Sequence, residues 1–149
     1  MRDAPAAPVV LDTNVLVAGL RSPHGASFRL LELLQQNRLR PAVSVPLVLE
    51  YEAVLLRHLP QLGLSQAQLH AFLDYLCARS QHTTIHYLWR PHAKDAGDDL
   101  VLEVALAAQA QAIVTFNTRD LLPAAQLGIE VLTPQQWLQQ LSEEPPCLP

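Results

Sequence analysis

The sequence predicts a three-layer α/β/α fold built around a mainly parallel sheet, and three observations carry that expectation. Short apolar runs that read as strands largely alternate with longer amphipathic runs that read as helices. Val9-Val10-Leu11 and Ala112–Thr115 are continuously apolar rather than alternating, as expected of strands buried on both faces. No internal repeat or low-complexity linker interrupts the 149 residues. One domain is therefore expected over 9–141, with loose termini at 1–8 and 142–149.

Taken in order, Val9-Val10-Leu11 is the first strand, behind an arm marked by Pro5 and Pro8. Ser27 is the expected N-cap of a helix through Gln36, with Leu30, Leu31 and Leu34 on one face. Arg40–Val43 reads as a second strand. Ser44-Val45-Pro46 has the form of a helix start, with proline in the first turn, and that helix should end near Arg57. Ser65-Gln66-Ala67-Gln68 fits a capping box and opens a helix through about Ala78. There, Leu69, Phe72, Leu73 and Leu76 are expected to pack in the core or in a dimer.

Thr83–Tyr87 reads as the third strand, and a strongly apolar helix should start at Asp98 and run through Ala108. Ala112–Thr115 and Glu130-Val131-Leu132 complete the strands. Thr133-Pro134-Gln135-Gln136 caps a last helix through Leu141.

Composition excludes several function classes. Ten Lys+Arg against fourteen Asp+Glu give a net charge of −4, so no overall basic field marks a nucleic-acid binder. A polyanionic substrate must then be held by a local patch or through a bound metal. The five glycines stand at no phosphate-loop spacing. Cys77 and Cys147 cannot form a disulfide framework, which fits reduced thiols in a cytoplasmic protein. The most apolar stretches are interrupted by Glu50, Glu52 and Glu103, so no membrane span is expected.

In open α/β sheets, ligands bind just beyond the carboxyl ends of the strands. Asp12-Thr13-Asn14 follows the first strand at once, and Asn117-Thr118-Arg119-Asp120 follows the fourth after Thr115-Phe116. Asp95, Asp98 and Asp99 lead toward that fourth strand, and Glu50 interrupts an otherwise apolar helix. Carboxylates converging from four segments would repel one another in apolar surroundings. A hard divalent cation, Mg²⁺ or Mn²⁺, relieves that repulsion. Two such ions about 4 Å apart can clamp the attacking and leaving oxygens of a phosphodiester. An acidic, metal-dependent nuclease would thus reconcile the net charge with a phosphate substrate.

These residues resemble a known family. Val9-Val10-Leu11-Asp12-Thr13-Asn14-Val15-Leu16-Val17 resembles the opening motif of PIN-domain nucleases, and Ser44 to Leu55, with Glu50, resembles their second. Asp98-Asp99-Leu100 through Leu106 resembles the third motif, and Ile113 through Leu121 the fourth. Order and separation agree across nearly the whole domain, and the nearest likeness is to the branch described as toxins of toxin–antitoxin pairs.

The resemblance implies that Asp12, Glu50 and Asp99 hold Mg²⁺ or Mn²⁺, with Asp99 preferred to Asp98 on its distance to Thr115. Thr13 and Asn14 would orient the first carboxylate. Asn117 stands where many members have aspartate and Asp120 follows three residues later, leaving the fourth ligand open between them. Asp98, Glu103, Thr115 and Arg119 are expected beside those ligands or against the substrate. The implied activity is endoribonuclease cleavage of an RNA substrate, with a cognate antitoxin protein and a homodimer as partners. One ion or two stays open.

Competing readings weigh each residue alone. Asp98 can serve as a helix N-cap with Asp99 in the first turn, which needs no metal. Glu103 lies four residues after Asp99, on the same face. Glu52 points away from Glu50 and is expected at the surface, and Asp95 is expected as a solvated loop charge. The six histidines show no zinc spacing. Arg21, Arg29 and Arg119 are candidates for phosphate contacts. The alternative function is a catalytically weak or inactive interaction module, which Asn117 keeps in play. A haloacid-dehalogenase-type phosphatase wants aspartate where Asn14 stands. A receiver domain wants a late lysine, and Lys94 precedes the fourth strand.

Overall fold

The structure, a computed structural model, describes residues 7–85 and 96–143. Its first half runs β1 (Val9–Leu11), α1 (Thr13–Arg21), α2 (Ala26–Gln35), β2 (Ala42–Val43), α3 (Val45–Arg57), α4 (Leu59–Leu62) and α5 (Gln66–Ala78). Its second half runs β3 (Gln81–His82), α6 (Ala96–Ala107), β4 (Ala112–Val114), α7 (Leu122–Gln126), β5 (Glu130–Leu132) and α8 (Pro134–Glu143). Among the described residues every strand pairing is parallel: β1 with β4, β4 with β5, and β2 with β3. A single bridge from Val9 to Pro41 joins the two groups, giving the strand order β3-β2-β1-β4-β5.

β1 and β4 are central, and Val10, Leu11, Ile113 and Val114 have no exposed surface. That is why their sequences are continuously apolar rather than alternating. At the edge, β5 exposes Glu130. Helices cover both faces, α2 packing on α1 and α8, and α3 on α5 and α6, to complete the three-layer α/β/α sandwich. No helix among the described residues is long and apolar enough to cross a membrane.

The helix starts follow local chemistry. The Ser44 hydroxyl accepts from the Leu47 N–H at the head of α3, where Pro46 needs no partner. Ser65 and Gln68 form the reciprocal capping box of α5 at 2.9 and 3.1 Å. Thr133 and Gln136 do the same ahead of α8.

Other expectations need correction. The N-cap of α2 is Gly25 rather than Ser27, because the helix starts earlier and Ser27 is buried inside its first turn. The third strand is Gln81–His82; Thr83, Thr84 and Ile85 of the expected Thr83–Tyr87 strand are not strand, and the rest of that segment lies outside the described residues. β2 ends where Ser44 turns into α3, so nothing remains beyond Val43 for a longer strand to pair with. α6 begins at Ala96, which puts Asp98 in its first turn rather than at its cap. α8 continues to Glu143, past the expected helix end at Leu141. Ahead of β1, Ala7 and Pro8 are tied down by hydrogen bonds from the side chain and backbone of Gln111. The helices α1, α4 and α7 were not anticipated. His86, Tyr87, His92, Lys94, Asp95 and Cys147 lie outside the described residues.

Candidate functional site

From β1 the chain works outward to β2 and β3, then returns to place β4 and β5 on the other side of β1. The direction of winding therefore reverses between β1 and β4, and a crevice opens at their carboxyl ends. Leu11 pairs with Val114, so the next residues, Asp12 and Thr115, stand side by side.

Asp12 is 7% exposed and caps α1, its Oδ1 accepting from the Thr13 N–H at 2.8 Å. Its Oδ2 accepts from the hydroxyl of fully buried Thr115 at 2.7 Å. That hydroxyl in turn accepts from the Asn117 N–H at 2.9 Å. The Phe116 N–H donates to Asn14 Oδ1 at 3.4 Å, tying the β4 exit to α1. Behind Asp12, buried Tyr51 donates its hydroxyl to the Leu11 carbonyl at 2.5 Å. Burial first, then the negative charge of Asp12, holds the Tyr51 phenol far above its usual range, so it remains neutral.

A cavity of about 550 Å³ opens over this network. Asp12, Thr13, Asn14, Glu50, Asp98 and Asn117 all line it. Glu50, Val54 and His58 recur every fourth residue along α3 and its C-cap, so one stripe of that helix faces the cavity. Arg21, at the end of α1, and Phe116 complete the wall. His58 Nδ1 lies 2.9 Å from the Val54 carbonyl, which can only accept, so that nitrogen carries the proton.

The other expected site residues are placed elsewhere. Asp99 does not line the cavity, because consecutive helical residues diverge by roughly 100° and Asp98 is the one turned inward. Glu103 is buried in α6 but away from the cavity wall. Asp120 follows the turn, its N–H donating to the Asn117 carbonyl at 3.1 Å, and it too is off the wall. Arg119 is exposed, and Arg29 pairs with Glu32 at 3.3 Å. Glu52 reaches His70 on α5 at 3.3 Å, away from Glu50. Sequence reasoning missed His58 and Phe116. The fourfold spacing Glu50-Val54-His58 was the available signal for the first, and no local signal marks the second.

A family model described as PIN domain matches residues 8–119, from just ahead of β1 to the turn after β4. The chain belongs to the PIN-domain family. No curated protein matches it. PIN domains are generally nucleases that typically use divalent metals.

The donors around the cavity suit a hard cation: the carboxylates of Asp12, Glu50 and Asp98 and the amide oxygen of Asn117. Among the described residues no cluster of three or more His, Cys, Asp or Glu forms a ready-made metal cage. Oxygen donors of this kind suit Mg²⁺ or Mn²⁺, and Mg²⁺ usually keeps several of its waters.

Proposed function

We propose that this PIN domain is a Mg²⁺- or Mn²⁺-dependent endoribonuclease. The observation that supports the reading is that Asp12, Glu50, Asp98 and Asn117 line one cavity at the reversal point of the sheet. When bound, the metal would supply a nucleophilic water and neutralise charge on the phosphodiester.

The protein's part is to hold and aim the donors. Thr13 and Thr115 fix both oxygens of Asp12. Asp98 takes the role that the sequence assigned to Asp99, and Asn117 offers a neutral oxygen in place of a carboxylate. Arg21 meets a substrate phosphate. The finer reading includes cytoplasmic location, a homodimer, and action as the toxin of a toxin–antitoxin pair whose antitoxin covers the acidic cavity. That part rests on the likeness of the four motifs to the toxin branch.

The test is cleavage of labelled single-stranded RNA in Mn²⁺ or Mg²⁺, beside Asp12→Asn and an EDTA control. Wild type should cut, EDTA should stop it, and Asp12→Asn should lose about 100-fold or more. Cleavage that survives EDTA, or equal cleavage by Asp12→Asn, would sink the reading. The second reading, an interaction module without catalysis, is favoured by the amide of Asn117 on the wall. It predicts folded protein that cuts no RNA in a broad panel.

A further inference from the structure

A second cavity of about 400 Å³ adjoins the acidic one, and its character is opposite. Among the described residues no Asp or Glu lines it. Its walls are the loop after α1, the start of α2, and Thr133 and Gln135 at the head of α8. Phe116 and Arg21 line both cavities and so form the sill between them.

Phe116 is an aromatic ring left 48% exposed between buried Thr115 and exposed Asn117. Its backbone is pinned to Asn14, so the ring stands on a fixed base. Arg21 is exposed and makes no ion pair among the described residues. α2 starts at Gly25, which has no side chain to cap it, so the first N–H groups of this ten-residue helix have no side-chain acceptor. Ser27, 3% exposed, lines the same cavity, and its buried hydroxyl has no partner among the described residues. Uncapped helix amides, a free guanidinium and an unsatisfied hydroxyl all favour a phosphate.

We propose that the second cavity is a subsite for the nucleotide next to the scissile bond of single-stranded RNA. Its base stacks on Phe116, and its phosphate lies between Arg21 and the N-terminus of α2. The acidic cavity takes metal and the neighbouring cavity takes phosphate, so the strand crosses the sill in one direction of changing charge. Only an unpaired strand can present a base to an exposed ring, so the subsite selects single-stranded over duplex RNA. The inference rests on the nuclease reading for the identity of the ligand.

The test uses the full chain with a fluorescein-labelled single-stranded RNA octamer in Ca²⁺ for affinity, and the same RNA in Mn²⁺ for kinetics. Phe116→Ala should weaken binding about 5- to 150-fold and raise KM in step. Phe116→Tyr should bind as wild type. Phe116→Leu, which keeps apolar bulk without a π face, should fall with alanine. Arg21→Ala should weaken binding and flatten its salt dependence by about one phosphate contact. A 2-aminopurine placed at one position should be quenched on wild type and not on Phe116→Ala.

Wild-type affinity in Phe116→Ala or Phe116→Leu would overturn the stacking subsite. Cleavage with KM indifferent to Phe116 would remove the subsite and leave the nuclease standing. Phe116-dependent binding without any cleavage would do the reverse. Wild type that neither binds nor cuts RNA would overturn both.

Discussion

Asp12 ends β1, caps α1 and lines the acidic cavity with one carboxylate. Its Oδ1 accepts from the Thr13 N–H and its Oδ2 from the Thr115 hydroxyl, so the protein fixes the direction in which the carboxylate points. Thr115 is the residue that makes this arrangement rigid. Its hydroxyl is fully buried, donates to Asp12 and accepts from Asn117, and so couples two cavity residues through one oxygen. Thr115→Val keeps the shape and removes the hydroxyl. Groups that hold a metal-binding side chain in place typically contribute about 10- to 100-fold in affinity or activity. Thr115→Val should lower Mn²⁺ affinity by about that factor in titration calorimetry, whereas Thr115→Ser should restore most of it. Equal affinity in Thr115→Val and wild type would show that Asp12 is held by other means.

At the scale of elements, α1 decides where both cavities lie, because it carries Asn14 and Arg21 and packs on α2 through Gly19. A Cβ on Gly19 would meet Leu31 Cδ1 at 2.9 Å and the Ser27 carbonyl at 3.1 Å. Alanine is the better helix former by about 0.8–1 kcal/mol, but overpacking against a neighbouring backbone costs about 1–3 kcal/mol. The second effect should win, since Leu31 can rotate but the Ser27 carbonyl moves only with its helix. Gly19→Ala is expected to lower the melting temperature by about 2–6 °C at roughly 2–4 °C per kcal/mol. An unchanged or higher value would mean that α2 shifts freely.

The same helix shows what was legible in the sequence and why. α3, α5 and β5 were readable because their signals are local: a serine and a proline at a helix start, a Ser65–Gln68 box, an apolar triplet between turns. Asp12 and Glu50 stood out as acids against apolar runs, and both line the cavity. α1 was missed because Asp12-Thr13-Asn14 has the composition of a turn as much as of a capped helix. Arg21 stood in the sequence as one of three candidate phosphate contacts, and of the three it is the one that lines the cavities. The choice between Asp98 and Asp99 depends on helix phase, which the start at Ala96 sets and composition does not. Phe116 reads as one more apolar residue at the end of a strand. Only the three-dimensional edge of the sheet leaves it exposed.

For the whole molecule, a protein of net charge −4 places three of its carboxylates around one cavity. A cation that binds the folded chain and not the unfolded one stabilises it by mass action, by about 2.7 kcal/mol at one hundred times its Kd. For a chain of this size that corresponds to a rise of about 5–10 °C in Tm. Thermal unfolding in Mn²⁺ should show that rise, EDTA should reverse it, and Asp12→Asn should lose most of it. The comparison separates site binding from general screening. Screening by a divalent salt would raise both proteins alike, because substituting one carboxylate hardly changes the rest of the surface. Equal shifts in wild type and Asp12→Asn would therefore take the metal out of the Asp12 cavity, and with it the electrostatic argument for a nuclease.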